Sequence, residues 1–395
     1  MFTNRIRLFH LLGIPIYLDL SWFLVLALVA WSLSGRFAML LEGLSPATYW
    51  VIGLATAATF FLCIILHELG HAVAARAYGV PTRGITLFLF GGVAELGGEP
   101  PSAVAELIVA LAGPLVSLVL AIGFFLAALA LAGVPDAGAW QLPLEYLAGI
   151  NLTVLIFNLV PAFPLDGGRA LRAILWGTLG SLRRATAYAA TAGRVFAFLL
   201  VGLGVLGLVS GQFVSGLWMV LIGMFLANAA RAGYEQVLIR EVLAGEPVRR
   251  FMTRDPVTVA PDVRLADFVE DYVYRHRRKV FPVVEGGRLR GWVDTQALAQ
   301  VPRDRWADAT VAEVMSTDLV PCVVSPQTDA LEAMRLLSRG ECGRLLVVDG
   351  GQLVGLVSQR DLANFLQLKL ELEGDDPPPP PAERPAEAPH TGAPM

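Results

Sequence analysis

Two histidines and a glutamate at close spacing carry the clearest chemistry in this chain. The run Leu66-His67-Glu68-Leu69-Gly70-His71 lies at the end of an apolar stretch. On a helix, positions i and i+4 face the same way, so His67 and His71 can both present a ring nitrogen to one metal ion. Glu68 sits about 100° round, close enough to reach a water beside that metal without taking a ligand position, which is the place of a general base. Histidine is scarce: five occur in all, two of them in this pentapeptide. The alternative is a polar helix end whose histidines bind headgroups or backbone. Three ionisable groups in a span are costly unless they serve function.

Two histidines leave a catalytic zinc short of its usual three protein ligands. The best third candidate is Asp166, in Phe157-Asn158-Leu159-Val160-Pro161-Ala162-Phe163-Pro164-Leu165-Asp166-Gly167-Gly168-Arg169. The prolines end a span, and Gly167-Gly168 is expected to let the backbone turn sharply at membrane depth. The bland reading of Asp166 is a turn residue capping a helix that begins near Gly168. Cys63 lies on the histidine face four residues before His67. As a fourth ligand it would close the shell and make the site structural; otherwise it is a small packing residue.

These residues must be positioned by helices in a membrane. Of 395 residues, 55 % are hydrophobic and 16 % charged, against roughly 25 % charged in an average soluble domain. The net charge is −4 and there is no basic stripe. A disordered chain, a nucleic-acid binder and an ordinary cytosolic globule are excluded. Three cysteines, Cys63, Cys322 and Cys342, are too few and scattered for a disulfide framework. No cleavable signal is evident, since the first apolar run is followed by many more. Six runs have helical span length, at about residues 17–35, 49–78, 106–133, 145–161, 194–211 and 213–230. Arginines such as Arg5, Arg7, Arg76, Arg83, Arg169, Arg172, Arg183, Arg184, Arg231 and Arg240 occupy alternate connections, with Arg36 alone on the opposite side. The positive-inside rule then predicts a multi-pass cell-membrane protein with both termini cytoplasmic.

Beyond Glu246 the pattern becomes short β-branched runs alternating with amphipathic stretches, and it repeats. Met252-Thr-Arg-Asp parallels Met315-Ser-Thr-Asp, and Phe281-Pro-Val-Val-Glu-Gly-Gly parallels Leu345-Leu-Val-Val-Asp-Gly-Gly. Each unit reads strand, helix, strand, turn, strand, helix, a small α/β module used twice. After Gly374 come Asp375, Asp376 and five consecutive prolines, a tail expected to be disordered.

The pair His67-Glu68-Leu69-Gly70-His71 and Asn158…Pro161…Pro164-Leu165-Asp166-Gly167-Gly168 resembles the motifs of the site-2 protease family of intramembrane zinc metalloproteases, over roughly residues 1–235. The resemblance implies His67, His71 and Asp166 as zinc ligands and Glu68 as general base. It makes Asn158 the group that hydrogen-bonds the substrate carbonyl or its oxyanion; a helix–helix hydrogen bond is the alternative. It also implies that the glycine-rich segment 82–100 presents a β-edge near the site, where a plain connecting hairpin is the alternative. Gly113-Pro114 resembles a further family motif but reads as a kink and is assigned no chemistry.

The repeats resemble cystathionine-β-synthase (CBS) domains, at 246–305 and 309–370, followed by the tail at 374–395. That resemblance implies an adenine nucleotide held by Ser358 and Asp361; in the first unit Ala297 stands where the acid would be. Helix capping by Ser358 without a ligand is the alternative. The expected fold is thus a six-span α-helical membrane domain followed by an α/β tandem CBS domain. The expected function is cleavage of transmembrane segments of single-span substrates, among them anti-sigma factors, under nucleotide control. Membrane lipid and a second copy of the chain, joined through the CBS domains, are the further expected partners; nucleic acid is not. The rival readings are a CBS-regulated transporter using the same His/Glu/Asp cluster, and an inactive membrane scaffold.

Overall fold

The computed structural model describes residues 5–89, 91–134, 137–318, 322–338 and 342–373. The segment 374–395, expected to be a disordered tail, lies outside the described residues. The chain divides into two compact units, Met1–Val237 and Leu238–Met395.

The first unit opens with a hairpin the apolar-run reading did not anticipate. Strands β1 (Arg5–Leu11) and β2 (Ile14–Asp19) pair antiparallel. Leu12 and Gly13 connect them, both with positive φ (51° and 80°), as a tight hairpin turn requires. Residues 17–19, expected to open the first span, are therefore strand. The helix begins only after Asp19, whose carboxylate accepts the Ser21 N–H at 3.0 Å as an N-cap. β2 pairs in parallel with β3 (Thr82–Phe88), and β3 antiparallel with β4 (Gly91–Leu96), giving a four-stranded sheet in chain order. Alternate residues of β2, Ile14, Ile16 and Leu18, face inward with Ile85 and Leu87. They pack on Ile65 and Ala72 of the helix Pro46–Ala77, so the sheet lies against the helical stretch that holds the histidines.

The helices that begin in this unit are α1 (Leu20–Leu40), α2 (Pro46–Ala77), α3 (Ala103–Leu131), α4 (Gly138–Asn158), α5 (Asp166–Leu179), α6 (Leu182–Val209) and α7 (Phe213–Leu243), the last ending within the second unit. Ser45 and Ser102 cap α2 and α3. Among the described residues α1, α2, α3, α6 and α7 are long and apolar enough to cross a membrane. This corrects the expected count of six to five. The remaining run is a helix, α4, but Gln141, Pro143, Glu145 and Asn151 dilute its apolar character. Large side chains such as Leu24, Trp31, Leu115, Phe125, Phe198 and Val209 are exposed on the long helices, as lipid-facing surfaces are. At one α6–α7 crossing, Gly204 and Gly216 meet so closely that a Cβ on either would lie 2.7 Å from the other's carbonyl oxygen.

The second unit confirms the repeat and adds an exchange. Its strands are β5 (Thr253–Arg254), β6 (Val280–Glu285), β7 (Arg288–Asp294), β8 (Val323–Val324), β9 (Leu345–Asp349) and β10 (Gln352–Val357). The hairpins β6–β7 and β9–β10 correspond, and each is joined in parallel by the strand preceding it, at Val259↔Val283 and through β8. The repeated Met-Thr/Ser segments cross over: β5 pairs with β10, while Ser316 bridges Trp292 of β7. Gly355 and Gly291 make room, since a Cβ there would lie 2.7 Å from Met252 Sδ and 2.5 Å from the Ser316 carbonyl oxygen respectively. Two cores result. One gathers Val242, Leu243 and Val248 with Ala330, Leu345, Val347 and Leu362; the other gathers Ala309 and Val311 with Leu265, Phe268, Phe281 and Val293. Cys322 and Cys342, distant in sequence, form a disulfide with Cα atoms 5.6 Å apart.

Candidate metal centre

His67 and His71 stand one turn apart on α2, both only 4 % exposed. Asp166 (8 % exposed) is the first residue of α5, and its side chain does not cap that helix. Its carboxylate turns to the histidines instead: Oδ2 is 3.1 Å from His67 Nε2 and Oδ1 is 3.2 Å from His71 Nε2. The two Nε2 atoms are 3.2 Å apart. A tetrahedral ion with bonds of about 2.0 Å separates its ligand atoms by about 3.3 Å. Each histidine nitrogen thus has the other nitrogen and one Asp166 oxygen at the spacing of neighbouring ligands in such a shell, and the chemistry, two imidazoles and a carboxylate, is that of a catalytic zinc with an open position. His67, His71 and Asp166 are the three metal-capable residues brought together among the described residues. Cys63, buried and unpaired with another cysteine, is not among them and reads as packing.

Gly167 and Gly168 do not make the expected sharp turn. Both are helical, in the first turn of α5. Their lack of a side chain serves close approach: a Cβ on Gly167 would collide with the Leu159 carbonyl, and one on Gly168 with the Phe163 backbone. The loop after α4 is thereby folded flat onto the start of α5, which aims Asp166.

Helix α3 supplies what the sequence reading left out. His67 Nδ1 is 2.9 Å from Ser117 Oγ, and His71 Nδ1 donates to the Val109 carbonyl oxygen at 2.7 Å. A carbonyl can only accept, so His71 carries its proton on Nδ1 and offers the Nε2 lone pair. Between these partners stands Gly113, where a Cβ would lie 2.7 Å from His67 Nε2 and 2.6 Å from His71 Cε1. Val109, Gly113 and Ser117 are four residues apart, one face of α3. Gly113 is therefore more than a kink: it is the gap that admits both rings. The four-residue spacing was visible in the sequence, but nothing there tied it to the histidines.

Glu68 is half-buried, and its Oε2 accepts the Ala94 N–H of the edge strand β4 at 3.0 Å. Gly92 lets that strand lie on α2, since a Cβ there would come 2.8 Å from Glu68 Cγ. The glycine-rich segment is thus a hairpin within a larger sheet, flush with the site. Asn158 is the last residue of α4 and half-buried, and no hydrogen bond ties it to a neighbouring helix among the described residues.

Family comparison agrees with this geometry. The model of peptidase family M50 matches residues 55–136 and 132–201, and the CBS-domain model matches 248–303 and 311–368. A zinc metalloprotease of Methanocaldococcus jannaschii is 32 % identical over 93 % of this chain and 98 % of its own length. The zinc metalloprotease candidate Rip3 of Mycobacterium tuberculosis is 35 % identical over 92 % of this chain and 93 % of its own. The chain belongs to peptidase family M50. Among solved structures, the site-2 protease of Methanocaldococcus jannaschii is 32 % identical, covering 58 % of this chain and 94 % of that one with a TM-score of 0.40. As an M50 member this chain is a multi-pass membrane zinc metalloprotease of the site-2 type, with a pair of CBS domains.

In the second CBS unit, Ser358 and Asp361 meet, but as a cap. Ser358 N–H and Oγ donate to Asp361 Oδ2 at 2.8 and 2.6 Å, at the start of helix α8 (Gln359–Glu373). In the first unit Asp294 takes the place of Ser358 and accepts the Ala297 N–H at 2.6 Å.

Proposed function

We propose that His67, His71 and Asp166 hold one zinc ion and that Glu68 and Asn158 act on a peptide bond within or beside a substrate's transmembrane helix. The observation that carries the reading is the buried cluster in which the two Nε2 atoms are 3.2 Å apart and each is 3.1–3.2 Å from one oxygen of Asp166, beside a carboxylate on the same helix as the histidines. When bound, zinc polarises a carbonyl and lowers the pKa of water, so that attack proceeds at neutral pH. Glu68 takes the proton from the attacking water and returns it to the leaving nitrogen. Asn158, whose side chain has no hydrogen bond among the described residues, donates its amide N–H to the substrate oxygen as negative charge develops there. A helical substrate must first unwind, because its carbonyls are engaged in i→i−4 bonds; the edge strand β4 beside Glu68 is a surface on which the unwound segment can pair.

The substrates on this reading are single-span membrane proteins, anti-sigma factors among them. The domains are taken as 1–235, 246–305 and 309–370, with both termini cytoplasmic. That orientation is supported by the arginine bias. The CBS pair serves dimerisation and control. Ser358 and Asp361 bind an adenosine-containing ligand, Asp361 offering the carboxylate oxygen that the cap leaves over to the ribose hydroxyls. Control would act through α7, whose last residues, Val242 and Leu243, belong to a CBS core.

The test is zinc content and cleavage of single-span peptides by the full chain. Glu68→Gln should abolish cleavage and keep the zinc, whereas His67→Ala or Asp166→Ala should lose most of it. Substantial proteolysis by Glu68→Gln would refute the mechanism. Calorimetric titration with AMP, ADP and ATP tests the ligand; equal binding by Asp361→Ala would remove it.

A further inference from the structure

We infer that Arg172, clamped between Glu106 and Phe163, is a positioning residue for Asp166. The inference rests on the reading of His67, His71 and Asp166 as metal ligands. The two histidines share α2, so their mutual placement follows from one helical turn. Asp166 arrives on a separate helix, and a ligand must be held to within about 0.5 Å of its productive place. Something other than covalent neighbourhood has to fix α5.

The Arg172 guanidinium does this from two sides. Its Nε donates to Glu106 Oε1 at 2.7 Å, and its Nη2 donates to the same oxygen. Glu106 is fully buried and Arg172 is 5 % exposed. Glu106 lies in the first turn of α3, three residues before Val109, whose carbonyl holds His71. The guanidinium also lies over the Phe163 ring, 5.3 Å from its centroid. Phe163 belongs to the loop that leads into Asp166, and its backbone is packed against Gly168 of α5 and Gly193 of α6. One side chain therefore joins the helix bearing Asp166, the helix bearing the histidines' hydrogen-bond partners, and the loop between α4 and α5.

Stability alone does not account for such a pair. Removing two charges from water costs about as much as their attraction returns, and Glu106 Oε2 remains buried without a partner. What the pair does supply is direction. Two N–H groups of one planar guanidinium fork converge on a single Glu106 oxygen, which fixes the line of approach in a way that the rotatable donors of an ammonium do not. That is the property needed to register α5 on α3.

The test is zinc retention by the full-length protein in detergent against a competing chelator, with the ligand-field spectrum of the cobalt-substituted protein beside it. Arg172→Lys keeps the charge and loses the fork; Arg172→Gln loses both. Each should lower zinc affinity by about 10–100-fold, the scale for partners that orient a ligand, and alter the cobalt spectrum. Glu106→Gln, which keeps an acceptor for Arg172, should lose less. Gly216→Ala, which strains the α6–α7 crossing, should lower the melting temperature and leave both metal readouts unchanged. Parent-like zinc affinity and cobalt spectrum in Arg172→Lys would overturn the inference, whether or not Arg172→Gln folds. Should Arg172→Lys itself fail to fold, a parent-like Glu106→Gln would overturn it. A parent chain that holds no zinc would refute the metal reading, and the inference with it.

Discussion

At the residue scale the two histidines are held differently. The Val109 carbonyl fixes the tautomer of His71, because it can only accept. Ser117 can donate or accept, so it orients His67 without dictating its protonation. Removing Ser117 leaves the His67 ring free to rotate and its Nδ1 buried without a partner. Ser117→Ala should therefore weaken zinc binding by about tenfold, near the lower end for an outer hydrogen-bond partner. Ser117→Thr, which restores the hydroxyl, should recover most of the loss. Gly113→Ala should be worse than either, since its Cβ falls among both rings. Chelator competition orders the three, and parent-like affinity in Ser117→Ala would show that packing alone orients His67. The two histidines were legible in the sequence because they stand one helical turn apart, whereas Asp166, on another helix, was legible only through its Pro-Leu-Asp-Gly-Gly motif. The α3 partners were not: a serine, a glycine and a backbone carbonyl carry no chemical signature until the fold brings them to the rings.

Among the elements, those whose stabilisation is local were the most readable. The long helices announce themselves by apolar runs, and Asp19, Ser45 and Ser102 mark where three of them start. The β1–β2 hairpin was missed because Arg5–Asp19 reads as an apolar approach to a span, and its partner β3 lies far along the chain. The segment joining α7 to the CBS pair shows what such nonlocal contacts do. Burial opposes ionisation of Glu246, but hydrogen bonds from Arg250 (2.6 Å) and Lys369 (3.1 Å) outweigh it and hold the carboxyl below its ordinary range. A carboxyl depressed on folding stabilises the fold above its unfolded value, about 4.3. That contribution disappears as pH falls through the lower, folded value. Hydrogen exchange of the full chain should thus show protection of residues 242–254 that Glu246 does not alter between pH 5 and 8 and that declines below about pH 4. Glu246→Gln should lower protection at pH 7 and flatten this decline; an unchanged pH profile would contradict the assignment.

On the scale of the whole molecule, the exchanged lead-in segments govern how the CBS pair must unfold. Val248 donates its N–H to the Thr328 carbonyl and sits in the core with Ala330 and Leu345, while Val311 donates to the Val263 carbonyl and sits with Leu265 and Phe281. Each module is completed by a segment that precedes the other, so neither core can open without removing strands or buried side chains from its neighbour. The repeat was legible from two similar stretches of sequence, yet similarity could not say which copy pairs with which; the β5–β10 pairing and the Ser316–Trp292 bridge do, at Gly355 and Gly291. Leu265 is fully buried in one core only. Leu265→Ala should cost about 2–5 kcal/mol, the range for such a truncation. The exchange of segments makes that loss common property. In native-state hydrogen exchange on the full chain, amides of β9 and β10 should lose protection by nearly the same free energy as those of β6 and β7, although no atom of Leu265 lies in the core that β9 helps to form. If β6 and β7 alone became unprotected, the two modules would be independent folding units and the exchanged segments mere surface pairings.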